Sequence, residues 1–171
     1  FGLRLHEGKT RLIEFGRYAA ERRKKRGEGR PETFDFLGFT HQCAKTRTHG
    51  WFTVQRQSMA KRIRATLHVI KQKLHKRMHR PLGETARWLR RVVQGWLNYH
   101  AVPGNSRRIG RFVDEVTRRW LHVIRSRSQR GRKRWTWERM HRLVRRHLSR
   151  PRIVHSYPEK RFRGRLKAGT V

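Results

Sequence analysis

The sequence predicts an α+β fold: a partial β-hairpin region over residues 1–57, an antiparallel bundle of three helices over 58–125, and a basic C-terminal extension over 126–171. Three observations predict it. Apolar residues alternate with polar ones in the first third of the chain, which is the period of a half-buried strand. In the middle they recur every three to four residues, which is the period of an amphipathic helix. After residue 125 a Gly-containing run of Arg and Lys and then two prolines interrupt any period.

In the β region, Leu3-Arg4-Leu5 and Thr10–Gly16 are short alternating runs, and His6-Glu7-Gly8-Lys9 between them reads as a hairpin turn. Residues 17–33 are charged and contain glycine, and they read as a loop. Residues 34–45 and 51–55 form a second predicted hairpin with Gly50 at its turn. Because the chain opens at Phe1 inside an apparent strand, it reads as a piece of something longer.

The first predicted helix runs from 58 to 79, with Ser58 as its cap and Pro81 as its stop. Met59, Ile63, Leu67, Ile70, Leu74 and Met78 share one stripe, opposite Lys61, Arg64, His68, Lys71, His75, Lys76 and His79. The second helix, 82–100, carries Leu82, Ala86, Leu89, Val93 and Trp96, with Trp88, Val92 and Tyr99 beside that stripe. Ala101–Asn105 breaks the pattern. The third, 106–125, turns Ile109, Phe112, Val113, Val116, Trp120 and Val123 one way, and Arg107, Arg108, Arg111, Arg118, His122 and Arg125 the other. Short connections favour antiparallel neighbours. Residues 125–134 read as a basic linker. Residues 137–148 read as a further helix with Trp137, Met140, Val144 and Leu148 inward, and the tail after it as irregular.

Forty-six Lys and Arg against 11 Asp and Glu leave a net charge of +35 on 171 residues. So large a charge repels itself in a compact chain and is relieved by a polyanion. Nucleic acid fits better than a membrane surface, because the cations are spread along the whole length rather than gathered in one anchor. There is neither an apolar run of 18 residues nor a signal-peptide pattern. A hydrophobic fraction of 35%, with six Trp, indicates a thin but real core. The lone Cys43 excludes an internal disulfide and suits a reducing, cytoplasmic setting.

Carboxylate-metal chemistry has little to work with here. Nucleotidyl transfer needs converging carboxylates around two metals, whereas the only Asp residues are Asp35 and Asp114, and the adjacent Asp114-Glu115 pair diverges by about 100° on a helix. No metal site is expected. His41, Cys43 and His49 lack the paired spacing of common zinc sites and read as ordinary strand residues. The positive signal is the set of basic helix faces, where Arg can grip phosphate with two N–H groups at once. Lys61, Arg64, Lys71, Lys76, Arg107, Arg111, Arg118, Arg125, Arg130, Arg132 and Lys133 are the candidate RNA contacts. Trp88 and Tyr99 either pack on the β region or stack on bases.

Several strings together resemble the bacterial group II intron reverse transcriptase/maturase family. GLRLHEGKTRLIEFGRYA (2–19) resembles the palm strands that follow the catalytic YxDD motif, and FDFLGF (34–39) the primer grip. WLRRVVQGWLNYHAVPGN (88–105) resembles the maturase-specific thumb, and HSYPEKRF (155–162) a terminal HPYPxxRF pattern with Ser156 in place of Pro. The YxDD strand itself is missing, and no Cys-pair endonuclease domain follows. The resemblance implies the end of a palm, a thumb and a short extension that binds DNA or simply ends the chain. The parent enzyme copies RNA into DNA with Mg²⁺ and helps its intron fold, while this chain, which needs no cofactor of its own, keeps RNA binding and loses polymerisation.

By the same resemblance, Lys9 lies near the active site and Phe36, Leu37, Gly38 and Phe39 form the primer grip. The expected partners are structured intron RNA, primer–template duplex and target DNA, with no membrane. A non-functional remnant of a mobile element and a generic basic nucleic-acid-binding protein are the rival readings.

Overall fold

The computed structural model describes residues 6, 8, 10–47 and 49–157, with Arg132 described in its backbone only. The expectations for Leu3–Leu5, Lys9 and residues 158–162 lie outside that set. The class is α+β: α1 (Ala19–Lys25), β1 (Phe34–Phe36), β2 (Phe39–Lys45), β3 (Phe52–Ser58), α2 (Ala60–Lys76), α3 (Leu82–His100), α4 (Ser106–Arg125), α5 (Gly131–Arg134) and α6 (Trp137–His147). The chain divides into two compact units, 1–55 and 56–171.

In the first unit the strands form an antiparallel meander of order β1-β2-β3. β1 and β2 pair with Phe34 opposite His41 and Phe36 opposite Phe39, leaving Leu37-Gly38 as a two-residue turn. Both turn residues have positive φ, 47° and 79°, the conformation that matches the twist of the flanking strands. Gly50, at φ 66°, serves the β2–β3 connection, where Trp51 O accepts from Thr46 N at 2.7 Å.

Two expectations for this unit are corrected. Residues 11–15 are not a strand, and Leu12 is 98% exposed; the run has no partner strand among the described residues, while its Phe15 packs edge-on to Phe34 at 5.0 Å. Residues 17–33 are not all loop either, since Ala19–Lys25 is helical. Its cations are answered locally: Glu14 pairs with Arg22 and Arg26, Glu21 with Lys25, Glu28 with Arg23 and Arg26, and Glu32 with Arg11 and Arg23. The hydrogen bond from Arg26 holds the Glu28 carboxyl below its usual range, and Glu28 and Glu14 in turn raise Arg26.

In the second unit α4 is the central element and packs against α2, α3, α5 and α6. Leu67, Ile70 and Leu74 of α2, Ala86, Leu89, Val93 and Leu97 of α3, and Ile109, Phe112, Val116 and Trp120 of α4 make the core. Ser58 meets Asn105 at one end, and Arg127 donates to the Arg80 carbonyl at the other (2.8 Å). α2 and α4 therefore run parallel, with α3 antiparallel to both. Trp96 stacks on Phe112, ring centroids 3.7 Å apart, which joins α3 to α4.

Three further expectations change. Ser58 does not cap α2; it ends β3, buried, and α2 starts without a side-chain cap. The hydroxyl is held instead by His100 and Asn105, partners that only the fold supplies. Residues 131–134 of the supposed linker are helical and pack on α4. Met140 of α6 and Leu148 just after it are buried as expected, but Trp137 is 41% exposed and stacks on His141 instead of entering the core. The described tail is irregular, and it is tied down where Val154 N donates to the Ala101 carbonyl at 3.0 Å.

Candidate nucleic-acid interface

Between Arg56 and Tyr157 the chain carries 29 Lys and Arg but only Glu84, Asp114, Glu115 and Glu138 as carboxylates. α2 itself contains no Asp or Glu. Elsewhere on a protein surface, acids at helical spacing usually neutralise such faces. Here they cannot, so the face keeps its field.

The helical period sets Lys61, Arg64, His68, Lys71 and His75 along one flank of α2, all exposed, over about 21 Å at 1.5 Å per residue. The His75 ring lies 6.3 Å from that of His122 on α4, which places this flank beside α4. The adjoining flank of α4 presents Arg111, Arg118 and His122 exposed, with Arg108 and Arg119 partly buried. Glu115 on α4 pairs with both Arg118 (3.3 Å) and Arg119. Arg108 reaches Gln57 at 3.3 Å. The result is two parallel cationic rows on rigid helices.

The predicted contacts are not brought to one place. Lys61, Arg64 and Lys71 share the α2 flank, with Lys76 further round the same helix. Arg107 and Arg111 are exposed on α4 without an ion pair among the described residues. Arg118 is committed in part to Glu115. Arg125 is half-buried, and its Nε donates to the Trp135 carbonyl at 2.8 Å, so it fastens α4 to the segment after α5. Arg130 and Lys133 are exposed at the α4–α5 end, and the Arg132 side chain lies outside the described residues.

Phe36 and Leu37 are exposed at the tip of the β1–β2 hairpin, whereas Phe39 is buried beneath it. Trp88 is partly buried against the helical core, with the Arg77 guanidinium 4.9 Å from its ring centre. Tyr99 is 51% exposed and meets the His100 ring edge-on at 5.0 Å.

Sequence reasoning passed over Arg87, Arg90 and Arg91 on α3 and Arg139, Arg142, Arg145 and Arg146 on α6, all exposed. Their spacing opposite the apolar stripes was a signal that could have found them. Glu84 answers only the α2–α3 corner. Arg80 donates to it at 2.7 Å and, with Arg77 at 3.7 Å, holds its carboxyl below the usual range.

No three His, Cys, Asp or Glu side chains come together as metal ligands among the described residues. Asp35 accepts from the Thr40 hydroxyl at 2.6 Å, His41 stacks on Phe34, Cys43 contacts the Gly16 backbone, and His49 stacks on Trp51. These side chains do not form the carboxylate cluster that would hold Mg²⁺ for nucleotidyl transfer. Nor is any helix among the described residues long and apolar enough to cross a membrane. No protein-family model, no curated protein and no solved structure matches the chain.

Proposed function

We propose that this chain is an RNA-binding fragment of a group II intron reverse transcriptase/maturase, whose helical unit acts as a thumb that holds structured intron RNA and primer–template duplex. The observation that carries the nucleic-acid part is the paired cationic flank of α2 and α4, where α2 has no acidic residue and α4 has only Asp114 and Glu115. Most affinity comes from phosphates, and the fixed spacing of side chains on two parallel helices selects among duplex shapes. The maturase part is supported by the ordered strings KTRLIEFG, FDFLGF and GWLNYHAVPGN. The two-residue turn at Leu37-Gly38 adds support, because it sets bare backbone at a hairpin tip where a primer strand could approach. Splicing would be assisted by binding the folded intron more tightly than its misfolded forms. Target DNA is a further partner on this reading, and the bacterial cytoplasm is where all three are met.

The test is competition binding at one fixed salt concentration between structured intron RNA and random RNA of equal length. With six to eight phosphate contacts, the slope of log K against log salt is roughly −4 to −7. Replacing Lys61, Arg64 and Lys71 by Gln flattens it by about two to three and erases the preference for intron RNA. Neutralising Arg130, Arg132 and Lys133 flattens it equally but leaves the preference. A wild-type chain without preference is a generic basic nucleic-acid-binding protein or a remnant, and the thumb reading fails.

A further inference from the structure

A second cationic feature lies away from the α2–α4 flank. The ends of α3 and α4, the turn after α4, α5 and the start of α6 enclose a cleft of about 390 Å³. Leu82, Ile124 and Trp135 are its apolar and aromatic lining. Arg127, Ser128, Gly131, Arg134 and Arg139 complete it, and no carboxylate lines it among the described residues. A cleft of this size is at the lower end of those that hold small ligands, roughly 300–1,000 Å³.

Two of the guanidiniums, those of Arg127 and Arg139, are held in place before anything binds. Arg139 sits over the Trp135 ring, 4.9 Å from its centre, and Arg134 lends its carbonyl to Arg139 at 3.4 Å. Arg127 is anchored by its bond to the Arg80 carbonyl, while its buried Nε–H has no acceptor among the described residues. Gly131 lies close to the end of α4: a Cβ at that position would stand 2.6 Å from the Arg125 carbonyl oxygen. Apolar side chains, an indole and three arginines in one cleft complement one class of ligand, a planar base joined to a phosphate.

We infer that this cleft binds a single unstacked nucleotide, its base against Trp135 and the Arg139 guanidinium and its phosphate between Arg127 and Arg134. The occupant rests on the RNA reading above, in which it is a nucleotide turned out of the duplex held by α2 and α4.

The test is calorimetric titration of the full chain with adenosine 5′-monophosphate, adenosine and inorganic phosphate at one fixed salt concentration. It is repeated on Arg134→Gln/Arg139→Gln and, for equal charge removal elsewhere, on Arg150→Gln/Arg152→Gln, all of them exposed positions. One monophosphate binds per chain, more tightly than adenosine or phosphate, and the cleft variant weakens it about tenfold or more while the tail variant leaves it unchanged. No monophosphate binding, equal weakening by both variants, or phosphate binding as tightly as the monophosphate overturns the inference. A chain that binds the monophosphate but shows no preference for intron RNA keeps the cleft and loses the thumb reading.

Discussion

Asn105 and Ser58, 47 residues apart, exchange two buried hydrogen bonds: Ser58 N–H donates to Asn105 Oδ1 at 3.0 Å, and Asn105 Nδ2 donates to Ser58 Oγ at 2.7 Å. The second Nδ2 hydrogen goes to the His100 carbonyl at 2.7 Å. The Ser58 hydroxyl and His100 Nδ1 share a further buried hydrogen bond at 2.8 Å. One small network ties the entry to α2, the end of α3 and the start of α4.

Asn105→Leu keeps the volume and removes all three bonds, leaving the Ser58 amide N–H buried without its acceptor, while the His100 carbonyl keeps its bond from Val102 N–H at 2.8 Å. A buried donor so orphaned costs about 1–3 kcal/mol. Urea unfolding of the variant is expected to show a loss of about that size. An unchanged midpoint would mean that water replaces the amide at no cost.

Burial lowers the His100 imidazole from 6.5 to about 4. Between those values the unfolded chain binds more protons than the folded one, so stability rises with pH across this window. The contribution is fully present above about pH 6.5 and is lost as pH falls towards 4; the difference corresponds to roughly 3 kcal/mol. The melting temperature of the wild type is expected to drop between pH 7 and pH 4.5, and that of His100→Gln to drop less. Parallel pH profiles would assign the effect to other groups.

Trp120 is 1% exposed in the middle of α4, and its indole N–H has no partner among the described residues. Trp120→Ala removes a large buried ring and is expected to cost about 3–5 kcal/mol, a large share of the stability of a small unit. Trp120→Phe keeps most of the apolar volume and removes an unsatisfied donor, so it is expected to cost less than half as much. Equal losses in the two thermal melts would show that the N–H is bonded.

Leu37 occupies the left-handed region at φ 47°, which costs a residue with a Cβ about 1–2 kcal/mol and which Asn tolerates better. Leu37→Asn is expected to slow amide exchange of Phe36 and Phe39 by up to about tenfold, since Asn-Gly is a favoured two-residue hairpin turn. Faster exchange in the variant would mean that the leucine side chain holds the hairpin.

The sequence alone determined the α+β class, α3 and α4 from 82 to 125, the core stripes and the excess of cations. Each of these is carried by local periodicity or by counting, which need no knowledge of neighbours. Tertiary structure decided whatever depended on a partner far along the chain. Ser58, next to a helix start, looked like a cap until Asn105 and His100 offered its hydroxyl buried partners. The run around Leu12 alternated like a strand, but with no strand paired to it Leu12 stays exposed, while Phe15 finds the Phe34 ring. Arg125 counted among the exposed cations until the Trp135 carbonyl came within reach. The surface itself was half legible: spacing showed that α2 and α4 each have a basic side, but only their parallel packing sets the two sides together. The cleft around Trp135 was invisible in the sequence, because Leu82, Ile124, Arg127 and Arg139 meet only once α3, α4 and α6 have packed.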